Sequence, residues 1–202
     1  MGIVLGITGG IATGKTTVTD MFRELGAETI SADDVAHEVL APGAPVIDEL
    51  VERFGHSIIK PDGSIDRSAL AEIVFKNPED LAALNDITHP PIIEIIKARI
   101  REFRSRAGKC DVLAVEIPLL IECKLMGLVD KVIVVAAEQE TQLIRLTTRG
   151  FSYDEALRRI AAQLPTSEKL HYADEVVRTD VSLEDTRQQV ERVWKLAQSC
   201  DE

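Results

Sequence analysis

The segment Gly9-Gly10-Ile11-Ala12-Thr13-Gly14-Lys15-Thr16 fits the pattern G-x-x-x-x-G-K-[ST] and directly follows the apolar run Ile3-Val4-Leu5-Gly6-Ile7. A buried strand, a glycine-rich turn and a helix start form a phosphate-binding loop, in which backbone N–H groups and the helix N-terminus attract anions. The residues that follow show helical spacing and then a glycine: Val18, Met21, Phe22, Leu25 and Gly26. This context favours nucleoside triphosphate binding over a strand-to-helix turn without a ligand.

Two side chains of this loop have expected roles in holding the nucleotide. Lys15 is expected to neutralise the outer phosphates, and the Thr16 hydroxyl is expected to ligate Mg²⁺. The predicted ATP-binding residues are Gly9, Gly10, Ile11, Ala12, Thr13, Gly14, Lys15, Thr16 and Thr17.

The composition is that of an ordinary globular protein with few aromatic side chains. The chain has 202 residues and a net charge of −11, which argues against general binding to nucleic acid or to a membrane surface. Three cysteines (Cys110, Cys123 and Cys200) lack C-x-x-C spacing, which favours reduced thiols in the cytosol. No basic leader precedes the first strand and every apolar run is too short to span a bilayer, so a soluble, cytoplasmic protein is expected, with a monomer favoured.

Short apolar runs predict five strands, and two of these runs lack polar alternation. Strands with no alternation are typical of a parallel sheet that is covered by helices on both faces, which indicates the α/β class. The predicted strands are Ile3–Thr8, Glu28–Ser31, Asp111–Ile117, Lys131–Ala136 and Glu175–Arg178.

The stretch between the second and third strands is far longer than one crossover requires, and it is expected to form a helical insertion for a second substrate. Its predicted helices are Val35–Leu40, Pro45–Phe54, Arg67–Phe75, Glu79–Asn85 and Pro91–Arg106. Further helices are expected at Gln139–Arg149, after a capping box at Ser152, and from Ser182 onward.

Asp33 is the candidate catalytic carboxylate. It follows the second strand, and the carboxyl ends of parallel strands carry ligand sites in this class of fold. From there it would accept the proton of an acceptor hydroxyl or hold a water on the metal. The alternative is equally open at this point: Ser31, Asp33 or Asp34 would cap a helix that begins at Val35.

Two arginines on a later helix are candidates for stabilising a transferring phosphoryl group. Arg145 and Arg149 are one turn apart and share a helix face. The alternative is a solvated face paired with nearby glutamates. Pro118-Leu119-Leu120-Ile121-Glu122 follows the third strand; Pro118 ends that strand, and the apolar pair after it would line a ligand pocket or pack as an ordinary loop. Glu116 and Glu122 are further candidates for carboxylates near the metal.

Many short motifs occur in one order along essentially the whole chain. They are Gly6-Ile7-Thr8-Gly9-Gly10-Ile11, Lys15-Thr16-Thr17, Ala32-Asp33, Val35-Ala36-His37-Glu38-Val39-Leu40, Phe54-Gly55, Asp62-Gly63, Asp66-Arg67, Thr88-His89-Pro90, Pro118-Leu119-Leu120-Ile121-Glu122, Leu128-Val129-Asp130, Gln142 with Arg145 and Arg149, Ala162-Gln163, and Ala173-Asp174. Together they resemble the dephospho-CoA kinases, which transfer the ATP γ-phosphate to the ribose 3′-hydroxyl of dephospho-CoA in the last step of coenzyme A synthesis.

The resemblance implies a P-loop NTPase fold with three layers and three parts. These are a nucleotide-binding core (residues 1–31, 110–138 and 173–202), a helical substrate-binding domain (residues 32–109) and a helical lid (residues 139–172). It implies ATP and Mg²⁺ as cofactors, dephospho-CoA as substrate, and Asp33, Lys15, Arg145 and Arg149 as catalytic residues. The residues it places on or near the acceptor pocket are Thr8, Asp33, His37, Arg67, His89 and Leu119.

The chain departs from the family pattern at several positions. Ser31 stands where an acid is usual, and Gly150 stands where an Asp is typical, which would loosen the lid. Ala12 and Thr13 replace Gly-Ser, which is tolerated if position 12 needs no positive φ. The usual Asn is missing near residues 177–180, so adenine contacts from that strand end are not predicted.

Two other functions stay open. A P-loop kinase that acts on a nucleotide or nucleoside would differ mainly in the helical insertion. A guanine-nucleotide switch would need the motifs N-K-x-D and D-x-x-G, and neither occurs in this sequence.

Overall fold

The computed structural model describes residues 2–74 and 76–199, and these residues form two compact units. The sheet unit comprises the described residues up to Ser31 and those from Ile100 onward. The helical unit comprises the described residues between Ala32 and Arg99. Cys200 and Phe75, the predicted end of one helix, lie outside the described residues.

The sheet is entirely parallel and has the order β2-β3-β1-β4-β5. Its strands are β1 (Ile3–Gly9), β2 (Glu28–Ser31), β3 (Val112–Glu116), β4 (Lys131–Ala136) and β5 (Glu175–Arg178). The central position of β1 places Ile7 opposite Glu116 of β3 and Ile133 of β4. The predicted five-stranded parallel sheet is therefore confirmed, and the phosphate-binding segment leaves the middle of the sheet at its carboxyl edge.

Helices cover the sheet because its strands are apolar on both faces. The helices that lie wholly within the sheet unit are α1 (Lys15–Glu24), α6 (Gln139–Thr148), α7 (Tyr153–Ala161), α8 (Thr166–Leu170) and α9 (Leu183–Gln198), with a short 3-10 helix at Met126–Leu128. The main core joins β1 to α1 and α9 through Ile7, Phe22 and Val190. The Ser152 and Ser182 side chains cap α7 and α9 as predicted, each accepting a backbone N–H.

The helical unit has its own core. Its elements are α2 (Ala32–Val39), α3 (Pro45–Phe54), α4 (Arg67–Val74), the 3-10 helix His56–Ile58 and the first part of α5 (Pro78–Arg106). The buried centre contains Leu50, Ile58 and Leu70. Within the described ranges, no helix combines the length and the apolarity that a membrane span requires.

The prediction of two helices, Glu79–Asn85 and Pro91–Arg106, is wrong because α5 is a single helix of 29 residues. Proline lacks an N–H, so Pro90 and Pro91 each remove one interior hydrogen bond and are usually read as a helix end. Here the helix continues through them into a segment that buries Ile96 and Phe103. His89 consequently lies inside a helix rather than at a helix entrance.

The helix after β2 begins three residues earlier than predicted, at Ala32 rather than Val35. Asp33 and Asp34 therefore lie in the first turn of α2, and neither caps a helix that starts at Val35. Carboxylates in a first helical turn are stabilised by the helix dipole.

Candidate functional site

The phosphate-binding segment forms a tight turn between β1 and α1. Gly14 caps α1 at a φ of 91°, in the left-handed region. A Cβ on Gly9 would lie 2.2 Å from the Val135 carbonyl oxygen, so only glycine fits there. The loop and the N-terminus of α1 together present the anion-binding end of a helix.

The carbonyl groups of this loop are held by side chains. Because the N–H and C=O of a trans peptide point in opposite directions, anchored carbonyls turn the amide N–H groups of the following residues to the other side of the loop. The anchoring contacts are Lys15 Nζ to Gly9 O (3.3 Å) and Gly10 O (3.0 Å), Thr13 Oγ1 to Gly10 O (2.9 Å), Gln142 Nε2 to Ile11 O (2.6 Å), Arg145 Nη1 to Ala12 O (3.0 Å) and Thr179 Oγ1 to Thr13 O (2.5 Å).

From the sequence, alanine is tolerated at position 12 only if that position needs no positive φ, and this condition is not met. The φ of Ala12 is 57°, a left-handed conformation that costs a residue with a Cβ about 1 kcal/mol or more. The methyl group is buried against Leu146 of α6 and Ala156 of α7. Burial of this methyl group offsets part of the backbone strain, which explains how alanine replaces the usual glycine.

Thr16 and Glu116 form a pair of oxygen donors beside the loop. Thr16 lies in the first turn of α1, and its Oγ1 donates to Glu116 Oε1 at 3.1 Å. Glu116 ends β3 and is 5% exposed. A hydroxyl and a carboxylate are ligands that suit Mg²⁺, so these two residues fit the metal that the phosphates of ATP require.

A second buried polar cluster lies after β3, and sequence reasoning missed its main member. Lys169 of α8 has no exposed side-chain surface, and its Nζ lies 2.8 Å from Glu122 Oε1 and 3.1 Å from Pro118 O. The fully buried Thr8 also donates to Pro118 O, at 3.0 Å. These contacts fix the turn that carries Leu119. Lysines are rarely buried, and no spacing in the sequence distinguishes this one.

Replacement of Lys169 by Met is expected to lower the free energy of unfolding by roughly 2–4 kcal/mol. The reason is that the Glu122 carboxylate, which is partly buried, would lose the cation that balances its charge. Lys131→Met is the matched control, since Lys131 and Asp174 form an exposed pair at 3.7 Å that is worth at most about 1 kcal/mol. Chemical denaturation of both variants measures the difference. Equal losses in the two variants would contradict the role given to Lys169.

The two candidate arginines differ in their surroundings. Arg145 contacts the loop through Ala12 O and also binds Thr179, at its hydroxyl (3.0 Å) and its carbonyl (2.6 Å). Arg149 is the exposed C-cap residue of α6. Gly150 follows it at a φ of 94°, a conformation that commonly ends helices. The structure thus brings Arg145 to the phosphate loop and leaves Arg149 at the surface.

The helical unit contains a cavity of about 410 Å³ that brings together three of the predicted acceptor residues. Asp33, His37 and Arg67 line it, and Arg67 Nη1 lies 2.5 Å from His37 Nε2. The apolar part of its wall includes Leu40, Leu70, Val74, Leu81 and Leu84. A polar end and an apolar wall suit a ligand that is itself part charged and part apolar. His89 does not line this cavity.

Comparison with known proteins identifies the family of a chain that combines this phosphate loop with this helical unit. The Dephospho-CoA kinase family model matches residues 3–185 of the chain. The chain belongs to the dephospho-CoA kinase family. The family predicted by the sequence motifs is thereby confirmed, and a nucleotide or nucleoside kinase is not favoured.

Relatives match the chain over nearly its full length. The dephospho-CoA kinase of Carboxydothermus hydrogenoformans is 45% identical over 196 residues, which cover 95% of this chain and 94% of that protein. Among solved structures, the dephospho-CoA kinase from Campylobacter jejuni is 31% identical, with a TM-score of 0.65. TT1252 from Thermus thermophilus is 32% identical, with a TM-score of 0.78. Each alignment covers 96% of this chain and 97% of the solved chain. The predicted P-loop kinase fold is confirmed.

Proposed function

We propose that this protein transfers the γ-phosphate of ATP to the ribose 3′-hydroxyl of dephospho-CoA. Membership of the dephospho-CoA kinase family over residues 3–185 is the observation that carries the proposal. The family makes the chain an ATP-dependent kinase and a transferase of coenzyme A biosynthesis. We also propose that dephospho-CoA is its substrate, that Mg²⁺ is its metal, that the site residues named below act in the transfer, and that the protein is cytoplasmic.

The sheet unit would bind the triphosphate. Amide N–H groups of residues 9–17 and the N-terminus of α1 would surround the β- and γ-phosphates, with the Lys15 ammonium between them. Phosphoryl transfer passes through a loose transition state, so fixed positive charge and fixed dipoles contribute most of the catalysis. In this proposal Arg145 adds positive charge beside the loop, whose Ala12 carbonyl it binds, and Arg149, which is exposed at the end of α6, stays a predicted contact of the transferring group.

Thr16 and Glu116 would hold the magnesium ion. Mg²⁺ retains water and is usually bound through one or two protein oxygens together with phosphate oxygens, which fits a hydroxyl beside a carboxylate. When bound, the ion would neutralise part of the charge on the β- and γ-phosphates. The protein's part is to fix the two donor oxygens next to the phosphate loop.

The helical unit would bind the acceptor in its cavity. Arg67 suits the diphosphate of dephospho-CoA, and the leucine wall suits the less polar parts of that molecule. Asp33 would accept the proton of the 3′-hydroxyl as its oxygen attacks the γ-phosphorus. The bond from the γ-phosphorus to the bridging oxygen breaks at the same time, and ADP leaves with the electron pair. Thr8, His89 and Leu119 remain predicted contacts of the acceptor.

A comparison of acceptors tests this function. ADP release is measured with ATP and dephospho-CoA, then with a panel of nucleosides and nucleoside monophosphates, and finally with GTP and no acceptor. The proposal expects ADP release that depends on dephospho-CoA. Faster turnover with a nucleoside monophosphate, or GTP hydrolysis without an acceptor, would contradict it.

A further inference from the structure

Thr179, the residue that directly follows β5, has an unusual set of contacts. It is 8% exposed, and its hydroxyl donates to Thr13 O at 2.5 Å while it accepts a hydrogen bond from Arg145 Nη1 at 3.0 Å. Its carbonyl accepts from Arg145 Nη2 at 2.6 Å. Thr179 therefore connects a carbonyl of the phosphate loop to a guanidinium of α6.

The hydroxyl and the guanidinium act on adjacent peptide groups. Arg145 Nη1 donates to Ala12 O as well as to the Thr179 hydroxyl, and that hydroxyl donates onward to Thr13 O. A chain of hydrogen bonds that starts at a cation is polarised in one direction, and each of its members is strengthened. The chain runs from Arg145 through Thr179 into the part of the loop just before Gly14 and α1.

The backbone of Thr179 is itself fixed. Its N–H donates to Ala136 O at 3.0 Å, which extends the pairing of β5 with β4. The next residue, Asp180, accepts hydrogen bonds from the Glu138 N–H and from the Arg178 guanidinium. The Arg178 hydrogen bond holds the pKa of the Asp180 carboxyl below its usual range, so this carboxylate stays charged at neutral pH. The hydroxyl of Thr179 is thus presented from a rigid strand end.

We infer that the Thr179 hydroxyl is a positioning group. It holds both the phosphate loop and the Arg145 guanidinium in the positions that bind the triphosphate. The inference rests on the proposed function for its catalytic consequence. The hydrogen bonds of Thr179 do not depend on the acceptor, because each of them lies on the nucleotide side of the sheet unit. A side chain of the same shape without the hydroxyl would leave the Thr13 carbonyl unsatisfied and would remove one partner of Arg145.

Three variants separate the hydroxyl from the bulk of the side chain. Thr179→Val keeps the shape and removes the hydroxyl, whereas Thr179→Ser keeps the hydroxyl and removes a methyl group. Thr186→Val is the matched control, since Thr186 is 2% exposed and its hydroxyl hydrogen is shared between Ser182 O at 3.0 Å and Arg178 O at 3.2 Å. For each variant we would measure ATP binding by calorimetry, kcat and KM for both substrates, and thermal unfolding.

The inference expects Thr179→Val to bind ATP about 10-fold more weakly and to lose at least ~10-fold in kcat/KM for ATP, with KM for dephospho-CoA within about twofold of wild type. Thr179→Ser and Thr186→Val should stay within about threefold of wild type in ATP binding. Equal ATP binding by the Val and Ser variants at position 179 would overturn the inference. A wild-type protein that binds ATP but makes no product would instead refute the proposed function, and the binding comparison would still decide the role of Thr179.

Discussion

Replacement of Asp33 by Asn is expected to lower kcat at least ~100-fold while ATP binding stays nearly unchanged. Asparagine has almost the same shape, but its amide cannot accept the proton of the acceptor hydroxyl. Asp33 lies in the first turn of α2 and lines the cavity of the helical unit, so we expect the change to act on the acceptor rather than on the nucleotide. Steady-state kinetics with both substrates, together with ATP binding by calorimetry, measure the two effects separately.

Asp34→Asn provides the control for this prediction. Asp34 is exposed and lies in the same helical turn, but it is not among the residues that line the cavity. Its replacement removes the same charge from the same helix end and should leave kcat within about threefold of wild type. Near-normal turnover in Asp33→Asn would remove Asp33 from the mechanism. Equal losses in the two variants would indicate an effect of helix charge alone.

Replacement of Lys15 by Met is expected to lower kcat at least ~1000-fold and to weaken ATP binding as well. The ammonium group of Lys15 lies 3.0 Å from Gly10 O, inside the phosphate loop, where methionine supplies similar length but no charge. In the wild-type protein this positive charge would stabilise the phosphates of bound ATP, and it would stabilise the transition state more strongly. Both observables should therefore change, unlike the result expected for Asp33→Asn.

Single-turnover kinetics and ATP binding measure the effect of Lys15→Met, and circular dichroism reports whether the variant is folded. The exposed Lys131 serves again as a control, because Lys131→Met removes one positive charge from the start of β4. A Lys15→Met variant that is folded and within tenfold of wild-type kcat would contradict the role of the loop lysine.

The sheet and the loop could be predicted from the sequence because their signals are local. Unbroken apolar runs such as Val112–Val115 and Val132–Val135 mark strands that are covered on both faces, and the glycine pattern directly follows one such run. The helix break at Pro90-Pro91 was predicted for an equally local reason and was wrong. There the packing of the residues beyond the prolines outweighs the two lost hydrogen bonds.

The contacts that hold the site together could not be predicted from local patterns. Gln142, Arg145 and Thr179 bind carbonyls of the loop from positions more than a hundred residues away in the chain. No periodicity encodes such a contact, and a buried lysine such as Lys169 looks in the sequence like any exposed one. The grouping of His37 and Arg67 came from the resemblance to a family rather than from the physics of the sequence, and the cavity of the helical unit contains both.

The most direct measurement of the central claim follows the γ-phosphate itself. The protein is incubated with Mg²⁺, dephospho-CoA and ATP that carries ¹⁸O on its γ-phosphate, and the products are separated and analysed by mass spectrometry. We predict CoA that carries the labelled phosphate on the ribose 3′-oxygen, formed in equal amount with ADP. Labelled inorganic phosphate with unchanged dephospho-CoA, or label on any other acceptor position, would contradict the account.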